Sequence, residues 1–373
     1  MTMEIHGDCP AGLGALRDVL ADEQRSGRAL GQAIAVVVDD ETVAHLWCGH
    51  ADPGRTREWT PQTLVCLFSA SKPLAAACVL KLLERGGVEL EAPIGRYWPG
   101  FAQHGKQAIT VRHALAHLAG VPIADAAPNR SIYDAAALAQ ALEAQRPLWE
   151  AGEQLCFHSF TYGILCSELV RRVDGRSLPQ FFREEFAQPH ALDLAFALSA
   201  SQAQRCADVV LPEDNLLFRM MTDPATTLGQ SWRPMPWSEL NSTGFRQCDF
   251  ASIAGHGSAA GLARFYAGFA CGGWIGGRSM LDEAIVREAL REQRHQPDAF
   301  MGVPVRMGLG FMLHNEIFRF SGPSSFAQPG LGGVAGVGDA QARAGVGITC
   351  NRLAGDMETP LLDRVLQIVV QNV

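Results

Sequence analysis

Leu64-Val-Cys-Leu-Phe-Ser69-Ala-Ser71-Lys72-Pro73-Leu-Ala-Ala-Ala-Cys-Val-Leu-Lys-Leu-Leu-Glu-Arg-Gly-Gly87 is the stretch on which the fold turns. A short apolar run, Leu64 to Phe68, leads into Ser69 and Lys72, three residues apart at the head of a helical segment. One helical turn sets residues at that spacing side by side. A weakly nucleophilic hydroxyl beside an amine that can take its proton is what an acyl-transfer nucleophile requires. The plainer alternative is an N-capping Ser followed by a surface Lys. The residues after Lys72 are apolar almost without a break, so the helix is buried on most sides rather than amphipathic. A surface Lys fits poorly there. Gly86-Gly87 ends the helix.

Downstream lie Tyr97-Trp-Pro-Gly100, Ile109-Thr-Val-Arg-His-Ala-Leu-Ala-His-Leu-Ala-Gly120-Val121-Pro122, Ala151-Gly-Glu, Thr161-Tyr-Gly-Ile, Glu168-Leu-Val-Arg-Arg-Val-Asp-Gly-Arg176, Gly330-Leu-Gly-Gly333 and Asn351-Arg-Leu. With the S-x-x-K pattern, found in β-lactamases and penicillin-binding proteins, these segments resemble the serine β-lactamase-like (family VIII) esterases, relatives of class C β-lactamases. The likeness runs through nearly the whole chain in the family's order. It implies an α+β fold in which one antiparallel sheet is built from both chain termini and flanked by helices, with a mostly helical region inserted.

Local patterns agree with that expectation. Gln32–Val38 and Thr42–Trp47, joined by Asp39-Asp40-Glu41, read as a hairpin. Met307–His314, Gly333–Val337 and Gly345–Cys350 read as later strands, and Leu361–Val370 as a closing helix. Between them Ala135–Ala144, Thr161–Val173, Leu178–Phe186, Ser258–Ala270 and Glu283–Gln293 carry helical periodicity. The expected division is a sheet lobe of residues 1–72 and 291–373 around an insert of 73–290. Residues 211–250, rich in Pro, Trp and Met, are expected to form a loop over the pocket.

Composition narrows the function. The chain has 373 residues, 47% hydrophobic and 19% charged, with a net charge of −8. That describes a globular protein with a sizeable core and disfavours nucleic acid. No apolar run is long enough for a membrane span, and the polar N-terminus does not read as a signal peptide. The ten cysteines are scattered singly, several inside apolar runs. They read as buried thiols of a cytoplasmic protein, which disfavours a cell-wall peptidase. No cofactor is expected. The expected partner is a small-molecule ester, thioester or amide; the sequence leaves the oligomeric state open.

The resemblance implies three motifs at the site. Ser69 and Lys72 supply the nucleophile and its base. A Y-x-N or Y-x-S motif falls on Phe157-His158-Ser159, so the family Tyr is Phe here, while Ser159 is placed to hydrogen-bond Lys72. The strand motif falls on Gln328-Pro329-Gly330, where relatives usually carry His. The oxyanion hole is expected from the amides of Ser69 and Leu331, with Gly330 allowing close approach. Tyr133, Tyr162 and His158 are candidate replacements for the absent Tyr; the alternative for each tyrosine is a core residue with a tethered hydroxyl. His256 is a further candidate, or a satisfied loop His. His113 and His117, four apart, lack the Glu of a zinc H-E-x-x-H pattern, and no metal is expected.

Three functions remain open at this level. One is serine-dependent acyl transfer to water or a small acceptor. The second is a binding protein that has lost turnover. The third is a repurposed catalyst working without an acyl-enzyme.

Overall fold

The computed structural model describes residues 4–211, 216–353 and 360–373. A continuous apolar run buried on both faces, Gly31–Val38, and a strand of alternating burial, Glu41–Gly49, form an antiparallel hairpin. Its two-residue turn is Asp39-Asp40, both with positive φ (48° and 69°), the left-handed pair that matches strand twist. His6–Asp8 pairs with the outer strand of this hairpin. On its other side Ala344–Cys350 pairs with Gly31–Val38, from Ala344↔Val38 to Cys350↔Gln32. Ala335–Asp339, Ser325–Pro329, Met312–Leu313, Pro304–Met307 and Arg294–Pro297 complete a nine-stranded antiparallel sheet. The two ends of the chain therefore meet in its middle.

Ala344–Cys350 shows how the layers are set. Ala344 and Val346 line a crevice with Leu366 and Val369 of the terminal helix Pro360–Asn372. The alternate positions, Gly345 and Gly347, face the helix Ala259–Ala270. A Cβ at either would stand 2.1 or 2.0 Å from a carbonyl oxygen of that helix, Ala263 or Ala259. Only glycine lets the helix lie so close.

That helix revises the expected division, which placed it inside the 73–290 insert. It lies against the nine-stranded sheet from Ala259 onward. Strand Gly255–Gly257 also pairs with Val65–Cys66 and Leu194–Phe196 in a small second sheet. Glycines on a partner strand 85 residues further on decide this, and helical periodicity alone cannot reveal it.

Other expectations are adjusted. Within 211–250, residues 212–215 lie outside the described residues. The rest holds short helices, Leu216–Thr222, Thr227–Trp232 and Thr243–Arg246, rather than a plain loop. Helices of four to seven residues are too short to show a period. Glu283–Ala289 stops four residues before Gln293. Met307–His314 is two strands, because the chain turns at Gly308 and Gly310 (φ 89°), with the Gly308 amide donating to the Phe311 carbonyl at 2.8 Å. Among the described residues no helix is long and apolar enough to cross a membrane, and all ten cysteines are free.

Candidate active site

Ser69 sits in a tight turn, Phe68–Ser71, that runs directly into the helix Lys72–Glu84. Pro73 tolerates this place because the first helical N–H groups have no intrahelical acceptor. Phe68 has φ 46° and is wholly buried, so core packing holds the residue before Ser69 in a costly conformation. The helix buries Leu74 through Leu80 and packs on Thr161–Asp174 and Leu178–Phe182. Ser69 stays partly exposed while Lys72 is wholly buried.

Lys72 Nζ stands 3.1 Å from Ser69 Oγ and donates to the Ser252 carbonyl at 3.1 Å. It also lies 4.8 Å from the centre of the Phe157 ring. Burial brings the Lys72 pKa down to about 7, against a smaller upward influence of Cys166. A base poised there is partly neutral at neutral pH and can take the hydroxyl proton. Ser252 is itself fixed: its hydroxyl donates to the Phe160 carbonyl and accepts from the Gly163 amide at 2.7 Å. Ser71 Oγ accepts from the Gly255 amide at 3.0 Å. The segment 252–255 thus clamps the Ser69–Lys72 turn, and no motif in the sequence marked it.

Ser159 is buried, and among the described residues the hydrogen bonds of Lys72 go to Ser69 Oγ and the Ser252 carbonyl rather than to Ser159. Phe157 does reach the site. Its ring stacks on His117 at 4.6 Å, and His117 stacks at the same distance on Tyr162. The Phe157 amide donates to buried Asp298 at 2.6 Å, and the same side chain accepts from the amides of Phe300 and Met301 at 2.9 Å. Asp298 was not legible as a site-shaping residue, since its partner lies 141 positions away.

His158 is not a replacement acid–base. Its Nε2 accepts from the Val121 amide at 3.3 Å, so Nδ1 carries the proton and faces the Cys156 carbonyl at 2.6 Å. Both nitrogens serve the backbone, and burial brings its pKa down to about 4. Tyr162 is a core residue whose hydroxyl donates to the Leu115 carbonyl at 3.4 Å. Tyr133 is 38% exposed and donates to Glu239 at 2.9 Å, with its pKa pushed up to about 12 by partial burial and that carboxylate. It ties down the 211–250 segment rather than Lys72. His256 sits in the small sheet with Nδ1 facing the Ala254 carbonyl at 3.0 Å, and burial brings its pKa down to about 4. His113 caps the helix Val111–Leu115 through the Thr110 amide. His117, past the end of that helix with φ 61°, points its Nδ1 at the His158 amide at 2.9 Å. The two rings serve different segments.

The strand motif arrives beside Ser69. A Cβ on Gly330 would stand 2.3 Å from the Leu67 carbonyl and 3.4 Å from the Ala70 amide. Gly330 therefore brings Leu331 alongside the Ser69 turn. Gln328 pairs with Gly336, whose missing side chain would strike the Tyr266 ring, so Gln328 lies on the same face as Tyr266. It is 2% exposed. Its Nε2 donates to the Pro329 carbonyl at 3.0 Å, while Oε1 has no partner among the described residues.

The sequence profile of the family described as Beta-lactamase matches residues 16–371. "Esterase/beta-lactamase LipL" of Mycobacterium tuberculosis is 30% identical over 344 residues, covering 87% of this chain and 77% of that protein. Among solved structures, a family VIII carboxylesterase superposes with a TM-score of 0.90 at 29% identity, covering 99% of this chain and 100% of that one. A penicillin-binding protein homologue from Caulobacter crescentus gives the same TM-score, identity and coverage.

Proposed function

Because the chain belongs to the β-lactamase family, we propose that it is a serine-dependent acyl hydrolase or acyltransferase acting on a small ester, thioester or amide. The observation that carries this reading is Lys72 Nζ, wholly buried, 3.1 Å from Ser69 Oγ. Lys72 takes the Ser69 proton as Oγ attacks the substrate carbonyl. The amides of Ser69 and Leu331 receive the oxyanion. The ammonium then returns its proton to the leaving alcohol, thiol or amine, and an acyl-Ser69 ester remains. Water or an organic acceptor, deprotonated by Lys72, releases it. Esterase names among the relatives at about 30% identity support ester hydrolysis as the baseline chemistry. The ten free thiols fit a reducing, cytoplasmic setting.

One observation favours a second reading. No tyrosine hydroxyl reaches Lys72 among the described residues, and the ring in the motif position is Phe157. A catalyst repurposed for other chemistry, or a binding protein, would also tolerate that exchange.

Intact-mass measurement after a fluorophosphonate or a p-nitrophenyl ester separates the two. One adduct on the wild type and none on Ser69→Ala is the expected result. Turnover of the substrate at full rate by Ser69→Ala refutes the acyl-enzyme.

A further inference from the structure

Around the Lys72 amine stand Ser69 Oγ, the Ser252 carbonyl and the Phe157 ring. Ser252 is buried, whereas Ser69 and Phe157 are partly exposed. The Phe157 ring is therefore the apolar cover between the amine and solvent, beside the nucleophile. The titratable groups near Lys72 are the Cys166 thiol on the helix Thr161–Asp174 and the imidazoles of His117 and His158. Burial raises the pKa of that thiol and lowers those of both imidazoles, so all three are neutral at pH 7. With no carboxylate among these groups to favour the ammonium, the exclusion of water governs how tightly Lys72 holds its proton.

The backbone under the ring is set by three successive amides. Those of Cys156 and His158 donate to His117, to its carbonyl at 3.1 Å and its Nδ1 at 2.9 Å. The Phe157 amide goes instead to Asp298 Oδ2 at 2.6 Å. Asp298 lies in the loop between strands Arg294–Pro297 and Pro304–Met307 and is 1% exposed. Its Oδ1 accepts from the loop's own Phe300 and Met301 amides, and among the described residues no basic side chain pairs with it. Burial pushes the carboxyl pKa up, against the lowering influence of the three amides. A buried carboxyl without a cation is costly. What it supplies here is an acceptor-only group, able to take three N–H donors on two oxygens.

We propose that Asp298 is a positioning residue for the base: by holding the Phe157 amide it keeps the Phe157 ring over Lys72 and water off the amine, a role that rests on the part assigned above to Lys72.

Asp298→Asn leaves Oδ1 for the Phe300 and Met301 amides and sets an NH2 group against the Phe157 amide, so it releases that amide while the loop keeps its own bonds. The chain has three lysines, Lys72, Lys81 and Lys106. With carbon-13 at the lysine ε positions, the Lys72 signal is the one absent from Lys72→Met. Titrated without substrate, Lys72 should deprotonate at about 7 in the wild type, and at about 8 or above in Asp298→Asn and in Phe157→Ala. The double variant should titrate with Phe157→Ala, because Asp298 acts through the ring. On a p-nitrophenyl ester, Asp298→Asn should lose about fivefold in kcat/KM at pH 7 and recover it by pH 9; a merely structural role would lower the rate at both pH values and leave the Lys72 midpoint in place. An unmoved midpoint in either single variant, or a further rise in the double variant, overturns the positioning role. Because the titration needs no turnover, a shifted midpoint stands even if no acyl-enzyme forms, and an unmoved one leaves the Ser69 adduct test untouched.

Discussion

Replacing Lys72 by Met separates the catalytic role of the amine from its cost to the fold. Methionine keeps a linear side chain of similar length in a wholly buried site but cannot take a proton. Burial lowers the Lys72 pKa from 10.5 to about 7. At pH 7 about half the molecules then hold a neutral amine, against about 3 in 10,000 for an unperturbed lysine. Burial therefore raises the supply of base by about three orders of magnitude. Losing a positioned base costs ~10²–10⁴-fold, so Lys72→Met should retain less than a hundredth of wild-type turnover. Wild-type kcat/KM on a p-nitrophenyl ester should rise with pH through about 7 and then level, because the deprotonated amine is the active form. The substitution should have the opposite effect on stability. The folded protein binds this proton less tightly than the unfolded chain, so the wild type gains stability from the site as pH rises from about 7 to about 10.5 and carries the full penalty below 7. The penalty has a ceiling of about 5 kcal/mol. Lys72→Met should thus melt higher than wild type, by more at pH 6 than at pH 9. The assay pairs a pH–rate profile from 5.5 to 9 with thermal melts of both proteins. A flat wild-type profile, or a Lys72→Met enzyme keeping over a tenth of the turnover, refutes the assignment of Lys72 as base.

Further outcomes follow from the two exchanged motif positions and from Ser69. Phe157→Tyr places a hydroxyl on the ring stacked against His117; if the apolar ring keeps water from the acyl-enzyme, the ratio of acyl transfer to hydrolysis should fall in this variant, measured with an alcohol acceptor, and an equal rise in both rates contradicts that role. Nitrocefin turnover should be negligible, since Phe157 and Gln328 provide no titratable group to activate the deacylating water; rates of a few per second contradict this. Ser69→Ala combined with Lys72→Met should be no slower than either single variant, because the pair acts as one unit; additive losses in single-turnover assays count against a shared proton transfer.

The local part of the site was legible without coordinates. Three-residue spacing on an apolar helix sets Ser69 beside Lys72 whatever surrounds them, because one helical turn fixes the geometry. The Asp39-Asp40 hairpin was equally local, and so were the long helices such as Ala135–Ala144, whose bounds match expectation. The tertiary structure decided what a sequence spacing does not encode. Lys72 takes its second contact from the Ser252 carbonyl, 180 residues on, a backbone atom that any residue type could present. His158 and Tyr162 lie next to the motif in sequence, yet backbone partners from residues 115–121 draw both away from Ser69. The helix Ala259–Ala270 joins the sheet because Gly345 and Gly347 leave it room. Periodicity reports which face of an element is apolar; only packing determines which distant surface that face meets, and so which polar groups reach the nucleophile.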